Sequence, residues 1–263
     1  MLRLCFALAA LCAFAQPAHA QNLPRRVTIG VAGAANPEGG VVVQSVRPDG
    51  AGAAAGLAPG DIITRIGARE IATTQDFVAA VRAAPAGRAA PFAVTRAGAA
   101  QTLHVTPQEA PRETASGLSV SYEAIRVGDS LRRVLVSTPQ GPRQRRPAVL
   151  IIGGIGCYSI DDATANDPYR TLAHELTRRG LIVMRVEKSG VGDSQGAPCA
   201  TVDFETELAG YRAALAALRT DRRVDASQIY LFGHSIGTLG APLLAQELGA
   251  AGVIAAQGLG RTW

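Results

Sequence analysis

Histidine and lysine are scarce in this 263-residue chain, which has four histidines and, in Lys188, a single lysine. Its net charge of +5 is therefore carried by arginine. The arginines are scattered, and only Arg143, Arg145 and Arg146 sit close together, as in a solvated loop. Charge points to no nucleic acid. After the first twenty residues no apolar run approaches the roughly twenty residues a bilayer requires, so no stable membrane anchor is expected. Asp161, Asp162, Asp167 and Asp193 are not spaced with histidine as metal ligands are, and no cofactor is implied.

What is present begins with a leader. Met1-Leu2-Arg3 is basic, Leu4 to Phe14 is apolar, and Ala18-His19-Ala20 is a small-x-small cleavage site, which together read as a secretory signal peptide over residues 1–20. The expectation is a secreted or periplasmic protein. A spanning anchor is disfavoured by the short apolar stretch, and lipidation at Cys12 by the bulky Leu11. Removing the leader leaves Cys157 and Cys199 as an even pair, for which a disulfide is the default in an oxidising compartment and two free thiols the alternative. The strands assigned below put the two cysteines in loops at one edge of a parallel sheet.

The chain divides at residues 109–116, a polar, proline-bounded stretch that reads as a linker. Before it, Gly40 to Val43 with Val46 reads as a strand, Gly56 to Ile63 as a turn into a strand, and Thr74 to Ala83 as a helix capped by Thr73 or Thr74. Strands over Phe92 to Arg96 and Thr102 to Thr106 follow. Residues 25–108 resemble a PDZ domain of the bacterial protease-associated type, most specifically at Ala55-Gly56-Leu57-Ala58-Pro59-Gly60-Asp61-Ile62-Ile63. The resemblance implies capture of an extended peptide by strand addition, with Val27, Thr28, Ile29 and Gly30 as the loop for a terminal carboxylate. Arg25 and Arg26 would assist that carboxylate or be solvated. A C-terminal peptide and an intramolecular docking surface are both open as partners, and His104 reads as structural.

Residues 117–263 alternate strands and helices. Two strands, Ser119 to Arg126 and Leu131 to Ser137, meet at Gly128-Asp129. There follow strand Pro147 to Ile152, helix Pro168 to Arg179, strand Leu181 to Val186 and helix Phe204 to Thr220. Strand Ile229 to Phe232, helix Thr238 to Leu248 and strand Gly252 to Ala256 complete the series. This predicts an α/β fold with a mostly parallel, doubly wound sheet. Between the last helix and the strand before it lies Gly233-His234-Ser235-Ile236-Gly237, the composition of a nucleophile elbow: a serine on a sharp strand-to-helix turn, with glycines where side chains would obstruct. With Ile151 to Gly156 as an oxyanion loop and the Gly-x-Gly-x-Ser turn Gly190 to Ser194, the region resembles the α/β-hydrolase fold from its first strand through its sixth, on the esterase, dienelactone hydrolase and prolyl oligopeptidase-like branches.

The resemblance implies that Ser235 attacks an acyl or peptide carbonyl while the N–H of Ile236, with that of Gly154 or Ile155, stabilises the oxyanion. A Cys157–Cys199 bridge would pin that loop. In this fold the order is serine, acid, histidine. After Ser235 the sequence holds one acidic residue, Glu247, and no histidine. His174 reads as a packing or solvent-exposed residue and His234 as part of the elbow. The sheet is thus expected to stop at about its sixth strand, aggregation-prone and with the triad incomplete. Three readings stay open: the N-terminal portion of a secreted ester hydrolase or serine peptidase, inactive as written; a PDZ binding module on a degenerate scaffold; and an enzyme that borrows its base from another subunit.

Overall fold

The computed structural model describes residues 23–161 and 167–258. The leader, Asp162 and the last five residues lie outside the described residues.

The first domain is built of β1 (Val27–Thr28), β2 (Val31–Ala35), β3 (Val41–Val46), α1 (Ala51–Ala54), β4 (Ile62–Ile66), β5 (Arg69–Glu70), α2 (Thr74–Ala83), β6 (Ala90–Arg96), β7 (Ala99–Val105) and β8 (Gln108–Glu109). An antiparallel sheet runs β2-β3-β4-β6-β7, with β5 beside β4 and β2 at one end. Alternate residues of each strand, Val41 and Val43, Phe92 and Val94, face one core, and α2 closes it with Phe77, Ala80 and Val81. The sequence left two candidate caps for α2. Thr73 holds the position: its hydroxyl accepts from Asp76 N at 3.1 Å, and the Asp76 carboxylate accepts from Thr73 N at 3.0 Å, a reciprocal cap that satisfies two otherwise orphaned donors.

The second domain comprises β9 (Leu118–Val127), β10 (Ser130–Pro139), β11 (Arg146–Ile152), α3 (Pro168–Arg178), β12 (Ile182–Val186), α4 (Phe204–Thr220), β13 (Val224–His234), α5 (Gly237–Leu248) and β14 (Gly252–Ala256). Its sheet runs β14-β13-β11-β12-β10-β9. Strands β11 to β14 are mutually parallel, β10 is antiparallel to its neighbour β12, and β9 is antiparallel to β10. Both faces of β11 and β12 are covered, which is why these strands read as continuous apolar runs. Ala148, Leu150 and Ile152 pack with α4 and α5; Val149 and Ile151, pointing the other way, pack with Ala173 of α3. This is the doubly wound α/β arrangement. Among the described residues no helix is long and apolar enough to cross a membrane.

The junction differs from a solvated linker. β8 pairs with β1, Ala110 is buried, and the Glu113 side chain is only 3% exposed, with Arg185 Nη2 at 2.7 Å and His174 Nε2 at 2.6 Å. Buried partners, not composition, fix this segment. His174 is thereby a buried, paired residue rather than an exposed one.

Candidate active site

Ser235 sits between β13 and α5 with φ +54°. That is the left-handed region, where a non-glycine residue is uncommon and strained by on the order of 1–3 kcal/mol. The flanking glycines are obligatory. A Cβ on Gly233 would lie 2.3 Å from Gly237 O, and one on Gly237 would lie 2.4 Å from Ile152 O. The turn is further held by Ser235 N donating to Ala256 O at 3.0 Å and by Thr238 N donating to Ser235 O at 2.9 Å. Ile236 opens α5, so its N–H is one of the helix-terminal donors without an intrahelical acceptor.

The serine faces a cleft of about 520 Å³ bounded by Gly154, Ile155, Tyr158, Tyr169 and His234. A larger cleft of about 640 Å³, around Arg143 and Arg223, contains none of these residues. Gly154 approaches the nucleophile closely: a Cβ there would be 3.3 Å from Ser235 Cβ. Its N–H, one of the two donors expected from the sequence, is spent on the Tyr169 hydroxyl at 2.8 Å. The Gly154 carbonyl accepts from Lys188 Nζ at 2.7 Å and from the Tyr158 hydroxyl at 3.0 Å. Two donors on one carbonyl fix the plane of the Gly154–Ile155 peptide. Because the peptide is trans, its N–H, that of Ile155, points away from Lys188, and Ile155 is 77% exposed.

His234 does not address Ser235. Its Nδ1 lies 2.6 Å from the Tyr169 hydroxyl and its Nε2 2.7 Å from Gln257 Oε1. Since Gln257 Oε1 only accepts, Nε2 carries the proton and Nδ1 accepts from Tyr169, a tautomer assigned from its partners. Glu247 is held by Arg212 at 2.7 and 3.0 Å. Behind the loop, burial pushes the Tyr158 phenol up, reinforced by its bond to Tyr169. Burial also raises the fully enclosed Glu187 carboxyl to about 7, despite the Ser159 hydroxyl at 3.0 Å.

Cys157 and Cys199 are joined, tying the residue after Gly156 to the short 3₁₀ turn Cys199–Thr201. Tyr158, Tyr169 and Tyr211, whose hydroxyl accepts from Gly153 N at 3.2 Å, carry no sequence signal. Lys188 carries one in retrospect: the chain's single lysine is buried, with Nζ also 2.8 Å from Glu207.

Two sequence readings need correction. Arg25 and Arg26 neither wait for a peptide carboxylate nor lie in solvent. Arg25 Nη1 is 2.5 Å from Asp193 Oδ2 and 2.7 Å from Asp161 Oδ2; Arg26 Nη1 is 2.6 Å from Asp161 Oδ2. Asp161 and Asp193 are accordingly buried ion partners, joined by Arg133 and by Tyr122, whose hydroxyl donates to Asp161 at 2.6 Å. Burial alone would raise the Asp193 carboxyl; the Arg26 N–H and the Arg25 guanidinium overcome it and hold it below its usual range. Of the loop expected to take a terminal carboxylate, Val27 and Thr28 are paired in β1. Gly30 N donates to Thr28 Oγ1 at 3.2 Å, and Ile29 is buried with its carbonyl accepting from Gly52 N at 2.7 Å. Much of this loop is thus engaged within its own domain.

A strand-to-helix turn with a strained serine, on a doubly wound sheet behind a small antiparallel domain, defines a two-domain hydrolase architecture. Residues 27–106 match the PDZ domain model, and residues 147–257 match the model described as serine aminopeptidase, S33. The chain carries a PDZ domain followed by an α/β-hydrolase domain. Esterase EstD of Thermotoga maritima is 30% identical over 110 residues, which are 41% of this chain and 26% of that protein; the chain thus spans about a quarter of the relative's length. Among solved structures, hypothetical protein PA2218 from Pseudomonas aeruginosa aligns over 56% of this chain and 45% of its own, with TM-score 0.48 and 16% identity. Esterase Est22 aligns over 56% and 47%, with TM-score 0.45 and 18% identity.

Proposed function

We propose that the hydrolase domain cleaves esters through Ser235, with the N–H groups of Ile236 and Ile155 stabilising the oxyanion. The observation that carries this reading is the left-handed backbone at Ser235 between two glycines that tolerate no side chain. Such strain is characteristic of a nucleophile presented for attack. Ile155 is preferred to Gly154 because the Gly154 N–H is already taken by Tyr169. The esterase relative supports an ester as the bond broken.

A serine needs a base. His234 is committed to Tyr169 and Gln257, so it is not placed to serve Ser235. Among the described residues Ser235 is thus a placed nucleophile whose neighbour His234 is engaged elsewhere. The leader-like composition of residues 1–20 supports an exported compartment, and β2, at one end of the PDZ sheet, is the strand on which an extended peptide would add.

Imidazole supplied in solution tests this directly. The 263-residue chain should hydrolyse p-nitrophenyl acetate faster with imidazole than imidazole alone does, and Ser235→Ala should remove that excess. An excess that survives Ser235→Ala would end the proposal. Adduct formation by a fluorophosphonate without added base would show that these residues or a second copy supply one. The serine aminopeptidase description of residues 147–257 supports a second reading, and faster cleavage of an aminoacyl p-nitroanilide than of the ester in the same assay would favour it.

A further inference from the structure

Arg132, in β10, is 4% exposed, and its Nε has no hydrogen-bond partner among the described residues. Neighbouring buried arginines are paired: Arg133 with Asp193 at 2.9 Å and Arg185 with Glu113 at 2.7 Å. The carboxylate that acts most on Arg132 is Glu207, which is already committed to Lys188 at 2.8 Å. A buried guanidinium without a counter-charge of its own is strongly unfavourable. Ser189 repeats the anomaly, being 2% exposed with an unpartnered Oγ.

Both residues line one cleft of about 390 Å³, together with Ser130, Gly196 and Thr206. Gly196, at φ +102°, keeps its centre open. A Cβ there would lie 2.6 Å from Ser189 Oγ, 3.5 Å from Ser130 Oγ and 3.8 Å from Arg132 Nη2. Donors from β10 and from the loop after β12 therefore converge on a space that any side chain at position 196 would fill. Glu205, the carboxylate lining the same cleft, is held by Arg212 at 3.2 Å.

We propose that this cleft binds a tetrahedral oxyanion, as the free ion or as the phosphate or sulfate group of a small ester, with Arg132, Ser189 and Ser130 as donors. A guanidinium supplies charge and a rigid fork of N–H groups, and hydroxyls rotate to complete the shell. The cleft shares no residue with the one at Ser235, so the proposal stands whether or not Ser235 acts on esters.

Thermal unfolding of the full chain decides it, with sodium phosphate or phenyl phosphate titrated against sodium chloride at matched ionic strength. A saturable rise in Tm with phosphate but not chloride is expected. Half-saturation at a lower concentration of phenyl phosphate identifies an ester as the ligand; equal concentrations identify the free ion. Arg132→Met should abolish the response, and Ser189→Ala should raise the half-saturating concentration about tenfold, the loss of one hydrogen bond to a charged group. Absence of saturation with either probe, or an undiminished response in Arg132→Met, overturns the site. Should Arg132→Met fail to fold, an unchanged half-saturation in Ser189→Ala overturns it equally.

Discussion

Beside β9 and β10 the hydrolase domain buries Arg25, Arg133, Asp161 and Asp193 as pairs 2.5–2.9 Å long, whereas at its β14 end Val253 and Ile254 stand 38% and 50% exposed. Leu239 and Leu243 of α5 are similarly bare. One end of the sheet thus hides charge and the other shows apolar surface, the reverse of the usual partition. The difference teaches where the domain depends on distant chain. The charged end is closed by the segment that leads into the PDZ domain, and each ion there is tolerable only while its partners are present. The apolar end is held by its neighbours in sequence, β13 and α5, and by no distant segment among the described residues.

Removing one partner at the charged end should have the largest effect. Asp193→Ala leaves Arg25 and Arg133 buried without their shared carboxylate and should cost about 3–5 kcal/mol in urea unfolding; a loss below about 1 kcal/mol would mean that water already reaches these ions. Next comes the covalent tie beside it. Replacing Cys157 and Cys199 by serine opens a loop of 42 residues and should cost about 4 kcal/mol by chain entropy. An unchanged unfolding midpoint would show the loop to be held by its hydrogen bonds instead.

The third test uses pH. The folded Glu187 carboxyl is raised from 4.5 to about 7, so the folded state holds its proton where the unfolded chain has released it. Its stabilising contribution is complete below about 4.5 and is lost as pH rises to about 7, a change on the order of 3 kcal/mol. Glu187→Gln should therefore be more stable than the parent at pH 8 and no more stable at pH 4. Parallel stability curves for the two proteins would contradict this. The smallest effect belongs to the apolar end, where Ile254→Ser should change unfolding by less than about 0.5 kcal/mol; a larger loss would reveal that this face is covered in solution.

The same contrast governs what the sequence makes legible. Strands β11 to β13 and helices α4 and α5 were readable because their signals are local: apolar runs, glycine pairs and caps within a few residues. Ser235 and the PDZ turn at Gly60-Asp61 share that quality. The disulfide was readable by counting. The charged cluster was not, because Arg26 meets Asp161 across 135 residues and Arg25 meets Asp193 across 168, and nothing in either neighbourhood marks them as partners. Tyr169 was missed for a related reason. A tyrosine in the first turn of α3 is unremarkable until the fold brings His234 and the Gly154 N–H to its hydroxyl.

The strap formed by Arg25 and Arg26 also imposes an order on synthesis. Translation at about 5–20 residues per second delivers Asp193 roughly 8–34 s after Arg25. The PDZ core, complete by Val105, has time to fold alone while both arginines remain hydrated. Asp161 arrives after β11, and the set is completed only when the loop after β12 delivers Asp193. The hydrolase half is thereby assembled against a neighbour that is already finished, and the two domains are fastened to each other among the last events of folding.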